Sequence, residues 1–562
     1  MRLKVHHTAG DGKGWALDED LRQIRLALHG VVKEVSATRA QVIHAPFWQN
    51  LAMVEPSILR RAFVIAHADN PPFFYVKQPE FAAGQGWVDL WVARSREALE
   101  QFHALNLPAI YIPYTIDPSL FFPIEDKKKI RSEFGIPKDA YVISNFHRDT
   151  EGGDLRTPKF QKAPELMVSI LKRVRDAGVP FHVLLAGPRR HWIREELAKE
   201  GIPYTFVGKA GVEGDDFGVN ILSRERLNKL YNATDLYVIP SRWEGGPQSA
   251  MEAAACRCKV LSAPIGVSLD ILEPSSIFQF AREAASQIME DIRSGVLNST
   301  IEPQFERWQK SHTTPVMMHA LRDLYNHLPE NESFQQKISD FRTSPFFDAW
   351  EQAKFTLRRR TSLPRLPKVV RWNHLPGQNT DLDEIMAWVR QTLEMWKVSF
   401  TNSTEAECDI VGWTIQDGHS RRNTFQFVVP GFPVEKLLPG ATLVAPSVQD
   451  ILNLRSLDIS NPAFVLSTPT KPDIQSSDPL IVHKGDRNAS LRIFRALAAG
   501  RPVIYPNGFA YREQIFWAGL TYDEDPSVAF QTAISDQIEL RQQAKSNDPA
   551  AAQHALRKLI SI

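Results

Sequence analysis

Short apolar runs of strand length alternate with amphipathic stretches of helix length along almost the whole chain, and this alternation restricts the fold to parallel β/α layers. Runs such as 62–67 and 236–240 are apolar on both faces, as a strand covered by helices on both sides must be. Strands are expected over 3–6, 41–44, 62–67, 90–93 and 109–112. A second series follows over 140–145, 181–186, 204–207, 236–240 and 260–263, with helices over 163–177, 192–200 and 249–255. Between the two series the charged run 126–131 breaks the pattern and is expected to be an interdomain linker. From 275 to about 328 the chain turns helical and polar, as helices packing across two domains do. After the basic, proline-punctuated stretch around Arg358 to Arg360, read as a solvated connector, the alternation restarts over 368–372, 409–413, 463–467, 480–483 and 502–505. The expected organisation is a first doubly wound domain over 1–123, a second over 132–275, a helical crossover and linker over 276–357, and a further α/β module over 366–562.

Composition excludes some partners. Lys and Arg number 66 against 65 Asp and Glu, so no bulk cationic field draws the chain to nucleic acid or an anionic bilayer. Three cysteines, Cys256, Cys258 and Cys408, are too few for a disulfide framework and form no zinc-type pair. No apolar run is long enough to cross a bilayer and no apolar stretch follows the early positive charge at the N-terminus. The expectation is a soluble, cytoplasmic protein without an integral membrane segment.

The chemistry concentrates between Asp235 and Asp270. There a hydrophobic strand is followed by a Gly-Gly-Pro turn and a helix expected to carry Glu252 in its first turn. Ligands of parallel sheets bind beyond the carboxyl ends of the strands, where helix N-termini supply unpaired N–H groups. Gly245 and Gly246 let the backbone come close to a ligand, and Pro247 can open a helix without wasting a donor. Glu244 and Glu252 at one edge of such a cleft are placed to accept hydrogen bonds from sugar hydroxyls; the plainer alternative is a pair of exposed acids favouring the helix dipole.

With Pro240, Ser241, Glu244, Gly245 and Glu252 in that order, the passage resembles the retaining GT4-type glycosyltransferases, whose motif sets two glutamates with seven residues between them after a strand ending in Pro-Ser. The resemblance covers roughly residues 1–330. It implies a GT-B fold, two Rossmann-like doubly wound domains facing a cleft, with Glu244 holding donor sugar hydroxyls and Glu252 the nucleotide ribose. Arg148 and Lys162 occupy the positions of the family's Arg and Lys, and two fixed cations there can neutralise a departing diphosphate. Lys159 competes with Lys162 for the second role. Arg257 and Lys259 stand where the family usually has Gly and Pro.

In the first domain Gly10, Gly12 and Gly14 follow the first strand, where backbone N–H groups can meet a phosphate or sugar, or simply form a turn. His44 and His67 end two strands and are candidates to hydrogen-bond a substrate hydroxyl; buried core histidines are the commoner alternative. In the last third, the stretch 490–505 looks like the family's second-glutamate helix and following strand, with Gly500 and Pro502 in place. Arg495 replaces the glutamate, and a cation cannot accept from a ribose diol. The module is therefore expected to be degenerate, serving acceptor binding, orientation or contact within a homo-oligomer.

The resulting expectation is transfer of a sugar from a nucleoside diphosphate sugar to a hydroxyl acceptor, a glycan or glycoconjugate, with retention. No cofactor and no obligatory metal are expected, since no Asp-X-Asp element adjoins the site and Arg148 and Lys162 supply the positive charge. A DNA-modifying transferase acting on a hydroxylated base, and a silent nucleotide- or carbohydrate-binding scaffold, are the alternatives.

Overall fold

In the computed structural model, residues 2–10, 16–76, 78–150, 155–212 and 214–339 are described, and beyond them 367–401, 406, 408–412, 424–429, 432–438, 441–457, 463–465, 480–482, 489–498, 503–506, 519–522 and 556. The first sheet comprises β1 (Lys4–His7), β2 (Lys33–Glu34), β3 (Val42–Ala45), β4 (Phe63–His67), β5 (Leu90–Ala93) and β6 (Ala109–Tyr111). Its order is β2-β1-β3-β4-β5-β6 and every pairing is parallel. The second comprises β7 (Val142–Asn145), β8 (His182–Ala186), β9 (Tyr204–Val207), β10 (Leu236–Ile239) and β11 (Lys259–Ser262), in the parallel order β11-β10-β7-β8-β9. The chain leaves β7 for β8 on one side and returns to β10 on the other. A crevice therefore opens between the carboxyl ends of β7 and β10, the switch point where doubly wound sheets take ligands. This is the GT-B arrangement that the resemblance implies.

Strands β3, β4, β7, β10 and β11 are buried at every position, so helices must cover both faces. The helix Pro164–Asp176 does so with Met167, Ile170, Leu171 and Val174 at helical spacing, and the helix Ala281–Ser294 packs along it. The helix Thr314–His327 then returns to the first domain, lies along Ala16–Leu28, and buries Met317, Leu321 and Tyr325 in that domain's core.

The charged run expected to be a linker is instead a helix, Lys127–Glu133, of the second domain. Asp126 caps it by accepting from the Lys129 N–H, and Ile130 buries its side chain. Arg131 is buried too, held by Asp235 at 2.6 Å and by the carbonyl oxygens of Lys138 and Ala140 at 2.9 Å. Counting charges missed that one cation was destined for an internal carboxylate.

Beyond residue 366 the described residues contain two parallel sheets where one module was expected. The third sheet comprises β12 (Val369–Asn373), β13 (Ser399–Thr401), β14 (Cys408–Val411), β15 (Thr424–Phe427), β16 (Thr442–Ala445) and β17 (Ala463–Val465), in the order β13-β12-β14-β15-β16-β17. That is the order of the first sheet, strand for strand. The fourth comprises β18 (Leu480–Ile481), β19 (Val503–Pro506) and β20 (Gly519–Tyr522). Gly500, Pro502 and Arg358 to Arg360 lie outside the described residues. The third sheet shares one continuous apolar core with the first, and Arg455 fixes the junction through Gln85 at 3.1 Å and its carbonyl to the Asn106 amide at 3.1 Å.

Because that core is continuous, removing residues 367–562 strips the cover from apolar side chains of the first domain. The truncated chain is expected to self-associate and to melt at lower temperature than the full chain, measured by light scattering and calorimetry. A monodisperse truncated chain with an unchanged melting temperature would show that the shared core does not support the first domain.

Candidate functional site

A cavity of about 490 Å³ lies in the cleft between the first two sheets. The loops after β7, β8 and β10 supply most of its wall, and Asp69, Asn70 and Tyr114 enter it from the first domain. Of the residues anticipated from sequence, Arg148, Lys162, Glu244, Gly245, Gly246 and Glu252 all line it.

Glu244 is buried, and its Oε1 lies 2.7 Å from Lys162 Nζ, an ionic contact without the alignment of a directed hydrogen bond. Burial favours the neutral acid, but Lys162 and then His147 outweigh it and hold the Glu244 pKa below the usual carboxylate value. Glu252 is the fifth residue of the helix Gln248–Ala255, one turn deeper than expected, and is 5% exposed. The reading of both glutamates as exposed cap acids therefore fails. Tyr231 donates its hydroxyl to Glu252 Oε2 at 2.8 Å and Arg224 donates to Oε1 at 3.0 Å. Burial raises the Glu252 pKa against the pull of these two partners.

Arg148 follows β7 on a loop fixed from behind by Asp149. The Asp149 carboxylate accepts from the Ile193 N–H at 3.0 Å, its N–H donates to Arg189 O at 3.1 Å, and its carbonyl accepts from the Lys159 N–H at 2.7 Å. Burial pushes Asp149 up to about 6, opposed mainly by the buried Arg190 guanidinium beside it. His147, also on this loop, contacts Ser249 Oγ at 2.8 Å, and burial with Lys162 pushes it down to about 3, leaving a neutral ring at the cavity wall. Lys159 precedes the short 3-10 turn Phe160–Lys162 and is not among the lining residues.

The glycines of the cavity wall also meet the opposite domain. A Cβ at Gly245 would collide with the backbone carbonyl of Asp69, and one at Gly246 with the Tyr114 ring. What comes close to these glycines is the opposite domain. Closure is completed by Gln161 Nε2 donating to Asn70 Oδ1 at 3.4 Å and by Phe74 stacked on Trp243 at 5.4 Å.

His67 does not reach the cavity. It is 1% exposed, with Nδ1 3.2 Å from Arg94 Nη1 and Nε2 2.8 Å from His44 Nε2. The Asp20 carboxylate also lies 3.5 Å from His67 Nδ1, and His44 Nδ1 in turn pairs with the Tyr325 hydroxyl at 2.9 Å. Burial lowers both histidine pKa values, so the chain is an uncharged internal relay tying the crossover helix to the first sheet. Gly12 and Gly14 lie outside the described residues, and Gly10 is not among the lining residues. Sequence reasoning missed Asp69, two residues past His67, and Tyr114, because no local pattern marks either as part of the cavity. Among the described residues no group of three or more His, Cys, Asp or Glu is placed to hold a metal ion, and no helix is long and apolar enough to cross a membrane.

A family model described as Glycosyl transferases group 1 matches residues 153–294, the part of the chain that carries Lys162, Glu244 and Glu252. The D-inositol 3-phosphate glycosyltransferase of Segniliparus rotundus is 25% identical over 279 residues, 46% of this chain and 59% of that protein. The protein of the same description from Mycobacteroides abscessus is 28% identical over 151 residues, 27% of this chain and 30% of that protein. The chain thus spans less than two thirds of the length of either relative. Among solved structures, sucrose-phosphate synthase from Thermosynechococcus elongatus aligns with a TM-score of 0.45 at 15% identity over 58% of this chain and 100% of that one. Anabaena HepE in complex with UDP aligns with a TM-score of 0.46 at 14% identity over the same shares.

Replacing Asp149 with alanine leaves the buried Ile193 N–H without its acceptor. A buried donor left unsatisfied costs about 1 to 3 kcal/mol. Asp149→Ala should lose roughly that much in urea unfolding at neutral pH, and an unchanged midpoint would mean that the Arg148 loop is held by other contacts.

Proposed function

We propose that the protein is a retaining, GT4-type glycosyltransferase that moves a sugar from a nucleoside diphosphate sugar to a hydroxyl acceptor. The observation that carries this reading is the convergence on one cavity of two buried glutamates and two cations at the switch point of the second sheet. The family model covering 153–294 supports it. In this reading Glu252, held rigid by Tyr231 and Arg224, accepts from the ribose diol, and Glu244 accepts from donor sugar hydroxyls. Arg148 and Lys162 neutralise the diphosphate as the bond to the anomeric carbon breaks, which is the step at which its charge grows. With that charge supplied by side chains, the reaction is proposed to need no obligatory metal. Retention follows from front-face attack, in which the leaving phosphate oxygen takes the proton of the acceptor hydroxyl while the new bond forms on the same face.

The acceptor is a hydroxyl compound in glycan or glycoconjugate synthesis; the relatives act, by their descriptions, on an inositol phosphate, which makes that compound the first to try. A cytoplasmic location fits the three buried free thiols. The C-terminal half is proposed to act on the acceptor side or in a homo-oligomer rather than at the donor.

The test is a panel of UDP-, GDP-, ADP- and TDP-sugars read by thermal shift and by donor hydrolysis. A donor that raises the melting temperature and is turned over supports a transferase; binding without turnover supports a silent scaffold. Glu252→Gln should weaken the nucleotide by about 1.5 to 3 kcal/mol through loss of a charge-assisted hydrogen bond, measured by calorimetry with the free nucleotide. Unchanged affinity would remove Glu252 from the ribose site. Arg148→Ala should lower turnover more than donor affinity, because its partner's charge is greatest in the transition state. Equal losses would make it a ground-state clamp.

A further inference from the structure

Asp69 and Asn70 enter the cavity from the first domain, on the turn that follows β4. The turn is rigid. Tyr75 donates its hydroxyl to Asp69 Oδ1, the Asn70 amide contacts Oδ2 at 3.2 Å, and the Asn70 N–H donates to the same Tyr75 oxygen at 3.0 Å. Tyr75 is itself 1% exposed between Trp48 and Phe81, so it cannot swing away. On the far side the Asp69 backbone carbonyl is packed against Gly245. A carboxylate offers about four lone-pair positions, and these two partners use two.

Every other lining carboxylate has a task. Glu252 is occupied by Arg224 and Tyr231, and Glu244 faces Lys162. Both rise from the second domain, with the cations. Asp69 is the carboxyl that the first domain contributes, so it can meet an acceptor hydroxyl that enters the cleft beside the departing phosphate, on the face where front-face attack must occur. We propose that Asp69 is the acceptor-orienting carboxylate of this site, accepting a hydrogen bond from a hydroxyl of an uncharged or weakly charged polyol acceptor and aiming it at the anomeric carbon. This rests on the transferase reading and deepens it. Asp69 is a positioning group; in this account the proton of the attacking hydroxyl still leaves with the phosphate oxygen.

The assignment has a pH consequence. Burial pushes Asp69 up to about 7, against its own backbone N–H and Asn70. The titratable and charged groups facing it are Tyr75 from its own turn, Tyr114 with Arg94 stacked on its ring at 4.1 Å, and Glu244, Lys162, Arg148 and His147 across the cavity. Tyr114 is raised by burial, Glu244 lies below the ordinary carboxylate value and His147 at about 3, so these three keep one protonation state near neutrality. The carboxylate form of Asp69 accepts from a hydroxyl more strongly than the protonated acid, which itself becomes a donor, so transfer should fall as pH drops through about 7.

The experiment uses the full chain and whichever sugar nucleotide of the panel raises its melting temperature, with water and then concentrated glycerol as hydroxyl probes. In Asp69→Asn, donor dissociation should stay within about twofold of wild type while the transfer rate falls about tenfold or more, and the acid limb near pH 7 should vanish. Tyr75→Phe, which removes one donor from the carboxylate, should move that limb to higher pH and serves if the asparagine variant is unstable. Parallel loss of donor affinity and rate, or an acid limb unchanged in both variants, overturns the assignment of Asp69. Failure of the wild-type protein to bind or turn over any donor overturns instead the transferase reading beneath it.

Discussion

The two sheets meet because two consecutive residues after β10 have no side chains. Gly245 lies against the Asp69 carbonyl and Gly246 against the Tyr114 ring, and Gly266, with φ at +43°, passes directly beside the backbone of Glu244 and Gly245. Any Cβ at the first two positions would hold the domains apart. With the contact made, further links follow around its rim: Glu97 accepts from the Gly266 N–H at 2.9 Å, and Asp270 accepts from the Arg96 N–H at 3.2 Å and the Tyr111 hydroxyl at 3.1 Å. The loop that carries Glu244 is therefore clamped between two domains, and the position of its carboxylate depends on closure as much as on its own helix.

Clamping sets the electrostatics. A carboxylate and an ammonium 2.7 Å apart, both largely buried, attract more strongly than the same pair on a surface. In the proposed reading, an entering diphosphate would compete for Lys162 and so release Glu244 toward the hydroxyls of the sugar. Binding of the donor's charged and uncharged ends would thus be coupled through one ion pair. Glu252 has no cation of the cavity wall as its partner; Tyr231 and Arg224 hold it. The division of labour between a fixed glutamate and an exchangeable one follows from their neighbours, since the two residues are chemically identical.

The β/α alternation made the strands of the first two domains legible within a residue or two, except the exposed two-residue edge strand β2, because a parallel strand covered on both faces has to be written as a continuous apolar run. The clustering of Arg148, Lys162, Glu244 and Glu252 was legible through motif spacing. The role of His67 was not. A histidine at a strand end reads the same in sequence whether it turns into the cleft or into the core, and here Arg94, Asp20 and His44 draw it inward. Asp69 escaped notice for the converse reason: its significance comes from Tyr75, Tyr114 and a loop nearly 180 residues later, none of which is marked by local pattern. Arg131 shows the same limit, its charge cancelled by Asp235 across the domain.

In the C-terminal third the glutamate is not simply lost. Its six-stranded sheet has the strand order of the first sheet, and the helix Ser490–Ala498 precedes β19 much as Gln248–Ala255 precedes β11. In the first unit that helix presents Glu252 to two hydrogen-bond donors. In the second it presents Arg495, which lies 3.0 Å from both Asp381 and Glu384, in the first turns of the helix Thr380–Met395. Those acids already suit the positive end of their own helix, and a glutamate at 495 would face both of them. Each of these groups is about a third exposed, so the contact contributes little to global stability. Its effect is on what the helix can face: the charge at 495 is matched to the neighbouring helix Thr380–Met395, whereas the charge at 252 sits on the wall of an open cavity.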